Sequence, residues 1–163
     1  MPNRRSILLF ISAAILGACT GSEHVPMPAG TTLIVLRHAD RSDENLNEKG
    51  RARAAALVEA LETVHVDAIY SPGIQRNLDT AAPLAEARGL AITRIPAENP
   101  AARLMREGAG KTIVWIGNKG NLQSIWDALG APEPAPLKYG DLFFVTRARL
   151  GSPLVERRRF GPD

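Results

Sequence analysis

A chain of 163 residues with 45% apolar and 23% charged side chains has the length and composition of one globular domain with a real core, which excludes intrinsic disorder. Aromatic residues make up only 5%, too few for a platform that stacks single-stranded nucleic acid. The formal charge of +3 owes much to Arg4 and Arg5; without them 18 basic side chains face 17 acidic ones, so charge lends no support to a nucleic-acid partner.

Residues 1–19 stand apart from the fold. Arg4 and Arg5 form a positive n-region, residues 7–16 an apolar run too short to span a bilayer as a permanent helix, and Leu16-Gly17-Ala18-Cys19 closes the run with small residues. The tetrad resembles a bacterial lipobox. That likeness implies a signal peptide over residues 1–18, lipidation of Cys19, and an exported, membrane-anchored protein on the periplasmic side, with inner or outer membrane left open. An uncleaved anchor and an ordinary secretory signal are the alternatives. Cys19 is the sole cysteine, so no internal disulfide exists. Residues 20–30, with Gly21, Pro26, Pro28 and Gly30, lack a hydrophobic period and are expected as a flexible tether, leaving the domain at 31–163. His24 is read as a solvated residue of that tether.

The run Leu33-Ile34-Val35-Leu36 ends abruptly in Arg37-His38-Ala39-Asp40-Arg41. A continuous aliphatic run of this length fits a strand covered on both faces of a parallel sheet, and ligands of such sheets gather beyond the strand ends. Arg37 and His38 are therefore expected at the mouth of a site, outside the core. Two guanidiniums beside an imidazole attract a dianion and disfavour the imidazolium, so His38 is expected neutral and nucleophilic.

Further along, Asn47 caps a predicted helix whose apolar positions are Ala54, Leu57, Val58, Leu61 and Val64. Residues 67–70 read as a second strand, followed by a Ser71-Pro72-Gly73 turn; His65 precedes this strand and falls on the edge away from His38. A helix over 74–88 stops at Gly89, with Leu78, Ala81, Ala82 and Ala85 as its stripe and Pro83 as a kink. Arg76 falls in its first turn, where the open N–H groups and the dipole favour an anion. A strand over 90–95, a short helix over 99–107 and a buried strand over 111–117 follow. Asn118 to Asn121 then lead into a helix with Leu122, Ile125, Trp126 and Leu129 on one face. Pro132, Pro134 and Pro136 stiffen a connection to a terminal hairpin over 141–146 and 153–159, in which the Arg157-Arg158-Arg159 run is a solvated edge. Alternating strands and helices specify an α/β class: a three-layer α/β/α sandwich, its central sheet mostly parallel, with a C-terminal antiparallel hairpin.

Arg37-His38-Ala39-Asp40, then Leu46-Asn47-Glu48-Lys49-Gly50-Arg51-Ala52, then Tyr70-Ser71-Pro72 with Arg76 and Thr80-Ala81, resemble the histidine phosphatase superfamily, which includes phosphoglycerate mutases and histidine acid phosphatases. The likeness runs from about Thr32 to Gly161 and is nearest to small bacterial members without a cap insertion. It implies a phosphoglycerate mutase-like fold, a phosphate-bearing substrate, and a two-step transfer in which His38 forms a phosphohistidine that water hydrolyses. Arg37 and Arg76 would clamp the equatorial oxygens. Arg41 resembles a further phosphate-binding arginine of the acid-phosphatase branch, or is an exposed loop residue. Asp40 is the nearest candidate proton donor, or a structural carboxylate paired with Arg37 or Arg41.

The departure from the family pattern is Asn118. A second histidine typically follows the glycine that ends the fourth strand, and this chain reads Ile116-Gly117-Asn118-Lys119 there. An amide still donates a hydrogen bond to phosphate but carries no charge. Two readings follow: a phosphomonoesterase weakened by Asn118, or a non-catalytic phosphate-binding or interaction lipoprotein on the same fold. No cofactor is expected, since metal-ligand clusters and nucleotide-binding glycine loops are missing from the sequence.

Overall fold

The computed structural model describes residues 24–150 and 152–163. The expected signal peptide, Cys19 and the first residues of the tether lie outside them. The first strand, β1 (Thr32–Arg37), is central to a six-stranded sheet, and its four aliphatic residues are fully buried. Leu33 and Val35 pack on one face with Leu104, Trp115, Leu122 and Trp126; Ile34 and Leu36 pack on the other with Leu57, Ile69, Leu84 and Val114. Alternate side chains point to opposite faces, so a strand with a core on both sides reads as an unbroken apolar run. Each such side chain contributes about 1.5–3 kcal/mol of burial.

The remaining elements are β2 (Arg41–Ser42), β3 (Asn45–Leu46), α1 (Glu48–Ala60), β4 (Ala68–Ser71), α2 (Gln75–Arg88), β5 (Ile92–Arg94), α3 (Ala101–Glu107), β6 (Thr112–Gly117), α4 (Lys119–Leu129), β7 (Asp141–Thr146) and β8 (Leu154–Arg159). The sheet order is β5-β4-β6-β1-β7-β8. The β5, β4, β6 and β1 strands run parallel, and β7 and β8 are antiparallel, so the layered α/β class is as expected. Helices α1 and α2 cover the Ile34 face, and α3 and α4 cover the Leu33 face. No described helix is long and apolar enough to cross a membrane.

The α1 cap is Asn47, whose side-chain oxygen accepts from the Gly50 N–H at 2.8 Å, as the sequence predicts. The stripe of α2 differs from expectation: Ala82 is exposed, and Asn77, Thr80, Ala81, Leu84 and Ala85 are the buried residues. A count of apolar letters misses Asn77 and Thr80, which are buried because their polar groups bond to Ile116 and Ala39. The small β2–β3 hairpin, too short for any periodicity, was also not foreseen. The expected tether is not free over its whole length. The Val25 N–H donates to the Ala128 carbonyl at 2.8 Å and Met27 is buried against the α3–α4 layer, so the ordered domain begins ahead of residue 31.

Candidate active site

The parallel register places Arg37 opposite Gly117, and the His38 N–H donates to the Gly117 carbonyl at 2.8 Å. The ends of β1 and β6 thus lie side by side on one edge of the sheet. To this edge the β2–β3 hairpin brings Arg41 and Glu44, α2 brings Arg76, and the segment before β7 brings Leu137 and Tyr139.

His38 is 2% exposed, so it lies inside the protein and not at an open mouth as expected. The chain after β1 turns inward, and the Ala39 N–H donates to the Thr80 hydroxyl oxygen at 2.9 Å, while that hydroxyl donates to the Arg76 carbonyl at 2.7 Å. Thr80 therefore stitches the segment after β1 to α2. The His38 Nδ1 lies 2.9 Å from the Ala39 carbonyl. A carbonyl only accepts, so Nδ1 carries the hydrogen and Nε2 keeps its lone pair. Burial pushes the imidazole from 6.5 down to about 4, against the Ala39 hydrogen bond, and the charges of Arg37, Arg76 and Arg41 push the same way. A neutral, nucleophilic imidazole at neutral pH is the result.

Arg37 donates from Nη1 to the Leu137 carbonyl at 3.2 Å and from Nη2 to the Tyr139 hydroxyl at 3.1 Å. Burial, with the neighbouring Arg41 and Arg76 charges, draws its pKa below the usual range against the pull of Tyr139 and Asp40. Arg76 donates from Nη1 to Glu44 at 2.9 Å. In both arginines the Nε–H is buried without an acceptor. A buried cationic donor without a partner is costly, and both guanidiniums act on the one imidazole through their charge, a setting that favours an oxyanion as the missing partner.

Asp40 pairs neither with Arg37 nor with Arg41. Its carboxylate accepts from the buried Arg53 Nε at 2.6 Å, and Arg53 also donates to the carbonyls of Phe160 and Pro162. The Asp40 carbonyl accepts from the Asn47 N–H. A Cβ built at Gly50 would stand 1.9 Å from that carbonyl oxygen, which is why the Leu46-to-Gly50 stretch ends in glycine. Arg41 is exposed, with its guanidinium turned to the Asp43 carbonyl. His65 is exposed and pairs with Asp67 on the far edge.

Asn118 is the N-cap of α4. Its side-chain oxygen accepts from the Asn121 N–H at 3.3 Å, while its own N–H donates to the Asn121 side-chain oxygen at 3.0 Å, a reciprocal capping box. That same Asn121 oxygen accepts from the Trp115 indole at 3.2 Å. Gly117 is required here, since a Cβ would come within 2.2 Å of the Asn121 oxygen.

The family model of the histidine phosphatase superfamily (branch 1) matches residues 33–97, which include β1, the capped α1 and Arg76. Over these residues the sequence is similar to the histidine phosphatase superfamily. Among curated members it is similar to phosphoserine phosphatase 1 of Hydrogenobacter thermophilus, at 33% identity over 38% of this chain. The match spans 35% of that relative's length. The fold is similar to that of the phosphoserine phosphatase of Entamoeba histolytica in complex with 3-phosphoglyceric acid (TM-score 0.62, 16% identity, 82% of this chain and 98% of that one). It is also similar to a mycobacterial glucosyl-3-phosphoglycerate phosphatase with inorganic phosphate (TM-score 0.57, 18% identity, 81% and 97%). Each of these three proteins is a phosphatase by name.

Tyr139, Arg53 and Glu44 were not read from the sequence. For Tyr139 the placement comes from the register: β7 runs antiparallel to β1 with Leu36 opposite Leu142, so residues just before β7 fall on the His38 edge. Arg53 and Glu44 had no comparable signal, because charged residues on a helix and in a hairpin are ordinarily solvated.

Proposed function

We propose that this protein is a phosphomonoesterase acting through a phosphohistidine on His38. The observation that carries the reading is the free Nε2 of a neutral, buried imidazole beside Arg37 and Arg76, each with a buried Nε–H that no protein group accepts. In the first step the Nε2 lone pair attacks phosphorus, the P–N bond forms, the P–O bond to the leaving group breaks, and the leaving oxygen takes a proton from water. The ring gains positive charge as this happens, and the Nδ1–H bond to the Ala39 carbonyl strengthens with it. Arg37 and Arg76 hold the phosphoryl oxygens through the displacement. In the second step water attacks phosphorus, inorganic phosphate leaves, and Nε2 regains its lone pair. Asp40 anchors the loop through Arg53 in this scheme and is not the proton donor.

We also propose export and anchoring through lipidated Cys19. The chain enters along α3 and α4, and β1 starts at Thr32, opposite Thr146, on the edge away from His38. Six strand residues separate the two edges by about 20 Å, so a membrane at the N-terminal side leaves the site facing water and soluble phosphate esters.

A second reading, a phosphate-binding protein without turnover, is favoured by one observation: the residue that caps α4 beside the β1 end is Asn118, whose amide can donate to phosphate but carries no charge and takes up no proton at neutral pH. Incubation of the protein with phosphoramidate, acetyl phosphate and small phosphate esters separates the two. The enzyme reading expects acid-labile, base-stable phosphate on the protein and turnover, both absent in His38→Ala. Phosphate binding with no phosphohistidine and no turnover above His38→Ala selects the binding protein.

A further inference from the structure

We propose that Tyr139 is a positioning residue of the phosphate site, holding the Arg37 guanidinium in the orientation that clamps a phosphoryl group; this rests on the reading of Arg37 as a phosphate ligand. Two contacts define the arrangement. The Arg37 Cζ lies 4.0 Å from the centroid of the Tyr139 ring, which sets the plane of the guanidinium. The Nη2 bond to the Tyr139 hydroxyl, with the Nη1 bond to the Leu137 carbonyl, sets its rotation within that plane.

A guanidinium carries five N–H donors. Two are consumed by Leu137 and Tyr139, and the remainder includes the buried Nε–H that has no protein acceptor. Arginine has more rotamer freedom to lose than most side chains, so a guanidinium fixed before the anion arrives binds it with less entropy lost at that moment. The same tyrosine ring meets the His38 ring edge-on, with centroids 5.7 Å apart. Clamp and nucleophile are thus set against one aromatic wall.

Tyr139 is itself held from outside the site. Its carbonyl accepts from Arg159 at 3.0 Å, Arg159 also pairs with Asp141 at 2.7 Å, and the Asp141 carboxylate accepts from the Lys138 N–H at 3.0 Å. Pro132, Pro134 and Pro136 restrict the chain leading to it. The terminal β7–β8 hairpin acquires a task in this view: its Asp141–Arg159 pair fastens the segment that orients Arg37.

The test is the affinity of the full-length protein for inorganic phosphate, measured by titration calorimetry in wild type, Arg37→Ala, Tyr139→Phe and Tyr139→Leu. The two tyrosine changes are repeated in an Arg37→Lys background. Tyr139→Phe, which keeps the ring, is expected to weaken phosphate binding about three- to tenfold, and Tyr139→Leu about ten- to a hundredfold. A lysine at 37 keeps the charge but has no planar fork to orient, so there each tyrosine change is expected to shift affinity by less than about twofold. A merely structural tyrosine would lose the same factor in both backgrounds, with a matching drop in melting temperature, and that result overturns the proposal. Wild-type affinity in both tyrosine variants, with binding lost in Arg37→Ala, overturns it while leaving the proposed function standing. No phosphate binding by the wild type, or binding unchanged by Arg37→Ala, removes the function and this inference together.

Discussion

The ends of β1 and β6 are neighbours in one sheet, joined by the bond from the His38 N–H to the Gly117 carbonyl, and they use their polar groups in opposite ways. At the β1 end most restraints come from elsewhere: Thr80 from α2, Arg53 from α1, Tyr139 from the approach to β7. The Nε–H groups of Arg37 and Arg76 are left there without a protein acceptor. At the β6 end the hydrogen bonds among Asn118, Asn121 and Trp115 close within seven residues of chain, leaving the Asn121 side-chain nitrogen buried without a partner. A strand end pinned from a distance keeps its chemistry available, whereas one that caps its own helix uses the same polar groups for stability.

The contrast is most directly attacked at its supports. Arg53→Ala strands the Asp40 carboxylate and releases the Phe160 and Pro162 carbonyls, so stability should fall by about 3–5 kcal/mol in urea unfolding. A loss under about 1 kcal/mol would mean that the β1 end does not depend on that pin.

Asn118→His converts the self-capped end toward the open one. Restoring a charged donor beside phosphate is expected to raise turnover of a phosphate ester about 10²- to 10³-fold, with about 0.5–2 kcal/mol of stability lost from the α4 cap. Unchanged or undetectable turnover in a folded variant would show that the two ends are not interchangeable.

The imidazole at the β1 end also has a pH signature. Its folded pKa of about 4 lies below the 6.5 of an exposed histidine, so between those values the unfolded chain binds the proton and the folded one does not. Stability is therefore lost as pH falls through that window, by up to about 3 kcal/mol, and the loss should shrink in His38→Ala. The acid limb of kcat/KM should fall near 4; a limb near 6.5 would place the nucleophile in a solvated setting.

The smallest effect is expected at Glu44. Its carboxylate occupies one Arg76 nitrogen but is 80% exposed, and such pairs are worth about 0–1 kcal/mol. Glu44→Ala should tighten inorganic phosphate binding by no more than about fivefold, measured by calorimetry; weaker binding would give Glu44 a supporting role.

Much of the fold was legible because burial leaves a local trace. The apolar run of β1, the Leu122, Ile125, Trp126 and Leu129 stripe and the Asn47 cap are each decided by a few consecutive residues. The placement of Arg37, His38 and Arg76 on one edge followed from strands and a helix that begin or end there. The partner of Asp40 was not legible, since Arg53 on α1 is one of many arginines and only the packed structure excludes water from it. Nor was the depth of His38, which depends on how the segment after β1 is drawn under α2.

The amino-acid order by itself determined most of the elements, the buried faces of β1 and α4 and the arrival of Arg37, His38 and Arg76 at one edge, because these depend on short-range periodicity and on caps within a turn. The tertiary structure alone decided the depth of His38, the ion pair of Asp40 and the aromatic wall behind Arg37. Those outcomes are set by directional bonds between residues up to about a hundred positions apart, and a hydrogen bond or a stack has no signature in the chain until folding brings its two halves within reach.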